Sequence, residues 1–405
     1  MKLYRPILYP LTRFQVFLLV LVAAAPFRCW AEKQPRALDA TSRSGFEHFY
    51  SLEYDQAIQD FQQGLKDTPD DPNKVNYLLE AVLFRELYRY NALDTRLYTH
   101  QRFIDAKQVQ IDPATKQQIK ELADRAMQIA EKRLKANPQD VQAIYSRGVT
   151  EGLRSTYLAI VEKSWWAALR NALAARRDHD QVLKLQPDFV DAKTIVGAHN
   201  YVVGSLPVPV KVMAGITGIH GDKEKGLQYL AEAGNSGGES STDARAALGL
   251  FLRREGRFQE GLENLHAMLR DHPRNFLFAL EEGHLLMDSG KPVEAIAAYR
   301  KVLNGCKAGQ YPNAHLEMAH FGLAEALRSQ GRNTEALEAY EAASTASGND
   351  KDLHQRALLA AGEVADLLSR RDQAMNEYQA AIAVDSSTEE ADQARKYLNK
   401  PYRNP

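Results

Sequence analysis

Two neighbouring segments of this chain repeat each other at a spacing of 34 residues. In GLFLRREGRFQEGLENLHAMLRDHP, Gly249 to Pro273, and GHLLMDSGKPVEAIAAYRKVL, Gly283 to Leu303, four positions recur together. They are Gly249 with Gly283, Gly256 with Gly290, Gly261 with Ala295, and Leu265 with Tyr299. The first small residue lets two helices approach closely, the second glycine closes a turn, and an apolar face follows on a second helix. A hairpin of this size cannot bury its apolar face alone. A fixed period of this length therefore commits the chain to stacking hairpins on one another.

Further units follow in looser register. Leu323 to Ala343 places Gly331, Ala336 and Tyr340 at the same positions, and Ala361 to Ile382 places Gly362, Ala374, Tyr378 and Ala381. The N-terminal half repeats more faintly, with Gly45, Tyr54, Ala57, Phe61 and Pro69 in register. Ser44 with Glu47, and Ser387 with Glu390, read as capping boxes at helix starts, the second opening a polar terminal helix that runs to about Leu398. Spacing and residue order resemble the tetratricopeptide repeat (TPR), a helix–turn–helix unit. The resemblance implies an all-α, right-handed superhelical solenoid. No alternating strand pattern competes with it. The run Asn235 to Ser241 marks the break between halves. The expected organisation is a leader over 1–31, a degenerate helical domain over 32–240, and repeats with a capping helix over 241–400.

The leader has its own signature. Lys2, Arg5 and Arg13 precede an apolar core from Phe14 to Ala25, and Cys29-Trp30-Ala31 offers small residues before a cut ahead of Glu32. The core is shorter than the roughly 20 residues that span a bilayer, so the expectation is a cleaved export signal, with a retained anchor as the alternative. Residues 1–31 hold four bases and no acid, which leaves 47 bases against 52 acids in the remainder. That balance gives no field for nucleic acid. Cys306 is then the only cysteine left, so no intrachain disulfide staples the fold. It reads as a small, semi-buried side chain.

Between two helices of one unit lies GSLPVPVKVMAGITGIHGDKEKG, Gly204 to Gly226, an apolar, helix-breaking insert with Lys211 as its only charge before Asp222. Its core, Pro207 to Ile219, is expected to fold inward as a short helix and plug the groove of the N-terminal half. An exposed loop that docks on a membrane or partner is the competing reading. Gly204-Ser205-Leu206-Pro207, Gly218, Gly221-Asp222-Lys223-Glu224 and Gly226-Leu227, within about Lys163 to Ala233, look like a signature of the inclusion-body-clearance family of eukaryotic TPR proteins, here a shared architectural variant.

No motif for a metal, a phosphate-cradling loop or an activated nucleophile is present, which argues for a non-enzymatic chain with no cofactor and no metal. Asp178-His179-Asp180 point in different directions on a helix and read as a solvated charged face with Arg176 and Arg177. Trp165-Trp166 offer a binding anchor, with a core role expected for at least one of them. What remains is the concave face of stacked first helices. By register it receives Asn200, Tyr201, Arg253, Arg254, His284, Glu325 and Arg328, where arginines can fork onto a carboxylate. The alternative for each is an ordinary solvated side chain. The functional expectation is an exported scaffold that binds a protein or peptide in this groove. Handling of an apolar ligand or membrane surface through the insert is the second reading, and the oligomeric state is left open.

Overall fold

The computed structural model describes residues 38–99, 109–206, 220–348 and 350–403, all within one compact unit from Pro35 to Pro405. The leader and the insert core Pro207 to Ile219 lie outside the described residues. Helices pair in sequence: α1 (Ala40–Tyr50) with α2 (Tyr54–Asp67), and α3 (Pro72–Arg89) with α5 (Pro113–Ala136), the short α4 (Arg96–Thr99) lying between them. Next come α6 (Val141–Ile160) with α7 (Trp165–Leu185), α8 (Lys193–Gly204) with α9 (Lys223–Gly234), and α10 (Ser241–Arg254) with α11 (Phe258–Asp271). The remaining pairs are α12 (Phe276–Asp288) with α13 (Pro292–Lys307), α14 (Leu316–Ser329) with α15 (Asn333–Ala346), and α16 (Lys351–Leu367) with α17 (Arg371–Val384). The last helix, α18 (Glu389–Asn399), packs on α17 and α16. Among the described residues there is no strand. The chain is the expected solenoid of helical hairpins.

Local chemistry explains where helices start and stop. Asp39, Asp71, Asp112, Asp140, Asp222, Asn275, Asp350 and Thr388 each accept a hydrogen bond from a first-turn N–H. Two expected caps move. Asp39 opens α1, leaving Ser44 and Glu47 inside the helix, and Thr388 rather than Ser387 opens α18. Several hydroxyl and acidic residues compete in both stretches, and the one with extended backbone at the boundary takes the role.

The tight turns share one device. Leu52, Gly256, Gly290, Gly331 and Ser369 adopt positive φ, and the N–H of the next residue reaches the carbonyl five residues back, as in Arg257 to Leu252 and Arg370 to Ala365. Within hairpins, a glycine of the first helix admits a ring from the second: Phe61 against Gly45, His179 against Gly148, Tyr299 against Gly283, Tyr378 against Gly362.

That packing corrects one expectation. Asp178 and His179 are buried rather than solvated, Asp178 forking with Arg147 at 2.6 and 2.8 Å. The tryptophans correct another. Trp166 is 80% exposed and Trp165 39%, so neither joins the core.

The flanks of the insert show why its glycines are needed. A Cβ on Gly226 would lie 2.5 Å from the Tyr201 nitrogen, one on Gly221 2.7 Å from the Gly204 nitrogen, and one on Gly204 2.5 Å from the Lys223 nitrogen. The chain leaves α8 and re-enters α9 with backbone touching backbone.

Candidate functional site

The first helices of the C-terminal hairpins are α10, α12, α14 and α16, and the faces they share would line a groove. Here that groove holds a segment of the same chain. The Tyr88 hydroxyl donates to the Asn313 carbonyl at 2.5 Å. The Asn91 side chain donates to Asp350 at 2.5 Å and to Glu317 at 3.3 Å. Thr95 donates to Glu281 at 2.5 Å and accepts from Arg253 at 3.0 Å. The α1–α2 turn docks beside it: Asn275 donates to the Tyr50 carbonyl and Asn313 to the Leu52 carbonyl, while Arg274 pairs with Glu53. Residues 50–53 and 88–96 thus run against α10 through α16.

At the centre sits a charge cluster built from both partners. The Arg253 side chain is 3% exposed and meets Asp288 at 2.5 Å and Glu281 at 3.2 Å. His284 is equally buried, with Nδ1 3.2 Å from Glu281. Asp94 forks with Arg96 at 2.8 and 3.0 Å. Burial opposes ionisation of Asp94, but the Arg96 guanidinium holds its carboxyl well below the usual range. Burial and the neighbouring Arg96 charge push the His284 imidazole down, so it is neutral. Burying unpaired charge is expensive, and here the groove pairs Arg253 with Glu281 and Asp288, the segment pairs Arg96 with Asp94, and the Thr95 hydroxyl bridges the two sides.

The seven expected groove residues therefore divide. Arg253 and His284 are brought together, but they are turned to the chain's own Thr95 and Glu281. Arg328 pairs with Glu363 at 2.7 Å and donates to the Tyr402 hydroxyl, and Glu325 accepts from Tyr340. Arg254 alone of the arginines is exposed. Asn200 and Tyr201 are buried elsewhere. Asn200 donates to the Val196 carbonyl and accepts from the Asp222 N–H. Tyr201 stacks on Phe251 at 3.8 Å and donates to Glu255, its phenol pushed up to about 12 by burial and that carboxylate. These two tie α8 to α9 and α10.

Asn91, Asp94, Thr95 and Glu281 escape a reading of the sequence because nothing local marks them; Asn91 and Thr95 find their partners 158 to 259 positions away along the chain. A charged, non-periodic stretch between two long helices, NALDTR, is the one available sign.

A family model described as tetratricopeptide repeat matches residues 243–315 and again 317–351. No curated protein sequence matches the chain. Among solved structures, the pilF protein of Pseudomonas aeruginosa aligns over 64% of this chain and 99% of its own, at 16% identity and a TM-score of 0.41. Yeast Tom70 aligns over 89% and 87%, at 12% and 0.37. A tetratricopeptide repeat protein from Parabacteroides merdae aligns over 78% and 97%, at 11% and 0.35. Identities and scores this low carry over nothing of those proteins' roles. The period, the glycine–ring hairpins and the family match together identify tetratricopeptide repeats within residues 243–351.

Proposed function

We propose that the chain is an exported, non-enzymatic scaffold that binds a protein partner on the concave face of its C-terminal repeats. One observation carries the reading: those first helices already hold a polypeptide segment by side-chain contacts, and the segment is the chain's own, residues 88–96. A partner segment in that groove competes with Asn91 and Thr95. Repeats of this kind typically serve as protein-binding scaffolds, which supports a non-catalytic role. Export rests on the basic start and apolar core of residues 1–25. N-terminal sequencing of the exported product is expected to begin at or next to Glu32; a product that keeps Met1 counts against it.

The test of the scaffold is a pull-down from an envelope extract with the parent chain and with Asn91→Ala/Thr95→Val, which loosens the docked segment. The expected result is a stoichiometric protein, recovered in greater yield by the double variant and in lower yield when Arg254→Ala is added. No protein from any of them overturns the reading.

A second reading, membrane-surface handling, is supported by the exposed Trp165, Trp166 and Leu169 on α7. Recovery of lipid in place of protein selects it.

A further inference from the structure

A cavity of about 190 Å³ lies between the N-terminal hairpins and α10 to α12. Its walls are mostly carbon, with Phe49, Tyr54 and Phe84 on one side and Leu250, Leu265 and Phe278 on the other. An apolar cavity of roughly 150 Å³ holds a benzene ring, so this one has room for an apolar body of six or seven heavy atoms. Ala246, also on the wall, is exposed, which gives access from solvent. Leu93, Asp94 and Thr95 complete the lining, so the cavity exists with the chain's own segment in place.

Two of the acceptors on the wall have capacity to spare. His284 is 3% exposed, and because its Nδ1 faces the Glu281 carboxylate, that nitrogen carries the proton. Its Nε2 is then a lone-pair acceptor, buried with no partner. Buried acceptors are nearly always met by a donor. The second is Asp243, which accepts one hydrogen bond, from the Tyr50 hydroxyl at 3.1 Å. The charged groups acting on it from α3 and from the turn before α8 are Glu80 and Asp191, both acids. Among the described residues no cation pairs with it. Arg245 on the same wall donates to the Gly234 carbonyl and the Asn235 side chain instead. Burial, and then the Asp191 charge, push the Asp243 carboxyl up to about 6. Apolar walls, aromatic rings, an acceptor without a donor and a carboxylate without a cation describe a place for a cation on a hydrocarbon.

We propose that this cavity binds a primary ammonium carried on a short apolar body, the body filling the space between Phe84 and Leu250 and the N–H groups meeting the acceptors Asp243 and His284. The same chemistry is presented by a free alkylamine and by the lysine side chain of a protein segment. The site stands apart from the groove reading, because a partner that displaces residues 91–96 would dismantle it, whereas this ligand holds them in place.

Calorimetric titration of the full chain tests it with four probes: n-hexylamine, 1-hexanol, methylamine and Nα-acetyl-lysine N-methylamide. Hexylamine is expected to bind at least tenfold more tightly than hexanol, which lacks the charge, and than methylamine, which lacks the body. Asp243→Asn is expected to abolish the preference for hexylamine over hexanol. Ala246→Trp, at an exposed position on the wall, is expected to abolish binding of both while circular dichroism stays unchanged. If Asp243→Asn does not fold, the probe series on the parent chain and Ala246→Trp decide. Lysine-amide binding equal to that of hexylamine assigns the site to a partner's lysine; weaker binding assigns it to a free amine. Equal affinity for hexylamine and hexanol, or hexylamine binding that survives Ala246→Trp, overturns the proposal.

Discussion

Gly226 stands where α9 starts against the backbone of α8, and the space a methyl would need is taken by the Tyr201 nitrogen, 2.5 Å away. Backbone cannot rotate aside as a side chain can. Gly226→Ala is therefore expected to destabilise the chain by about 1–3 kcal/mol through overpacking, read as a lower urea midpoint. Ser369 presents the opposite case. It closes the α16–α17 turn at φ 62, the position that Gly256, Gly290 and Gly331 fill elsewhere, and it is exposed. A side chain there strains the backbone and contributes no packing. Ser369→Gly is expected to raise stability by roughly 0.5–1 kcal/mol, less whatever the freer unfolded chain takes back. A midpoint that does not rise, or falls, would show that the serine makes a compensating contact. Gly226 is legible in the sequence as part of the glycine-rich flank of the insert, whereas Ser369 is not, because a serine carries no mark of the turn that glycine fills in the other units.

Helices were legible from their local period, and their docking was not. The apolar stripes that define α10 to α17 need only near neighbours. The segment that occupies their groove is held by contacts such as Asn91 to Asp350 and Thr95 to Arg253, between residues 259 and 158 positions apart, and no local pattern encodes such a pairing. Arg253 and Arg254 make the point within one turn. Register places both on a first helix near the groove, but successive residues point about 100° apart, so one enters the seam and the other faces water. Arg253→Ala leaves Glu281 and Asp288 without their guanidinium and is expected to cost about 3–5 kcal/mol, the range for breaking a buried pair by removing one partner. Arg254→Ala is expected to stay within about 0.5 kcal/mol of the parent. Urea melts of the two variants side by side check it, and equal midpoints would mean that Arg253 does not hold the seam.

Across the whole molecule, pH acts through buried groups of opposite sign. Burial pushes His179 down to about 4 from its ordinary 6.5. Below pH 6.5 the unfolded chain takes up a proton that the native imidazole, on Gly148, refuses. That stability is whole above about pH 6.5 and is lost toward pH 4, amounting to about 3 kcal/mol at 1.36 kcal/mol per unit. Asp243, raised to about 6, works the other way: the native state takes up the proton first, so stability is gained as pH falls from 6 toward 3.8. His179→Phe installs the ring that packs on Gly45 as Phe61 and separates the two. Its stability relative to the parent is expected to grow from pH 7 to pH 4.5, and a constant difference would exclude His179 as the source. The self-docked segment carries a further consequence. In an ordinary stack each hairpin leans on its neighbours and the ends fray independently. Here Tyr50, Tyr88 and Asn91 close on Asp243, Asn313 and Asp350, so the earliest-made hairpins find their final partners only after some 200 further residues have left the ribosome. At roughly 5–20 residues per second that is a delay on the order of ten to fifty seconds, during which the nascent chain stays open, and once closed its N-terminal hairpins cannot unravel stepwise without first leaving the C-terminal repeats.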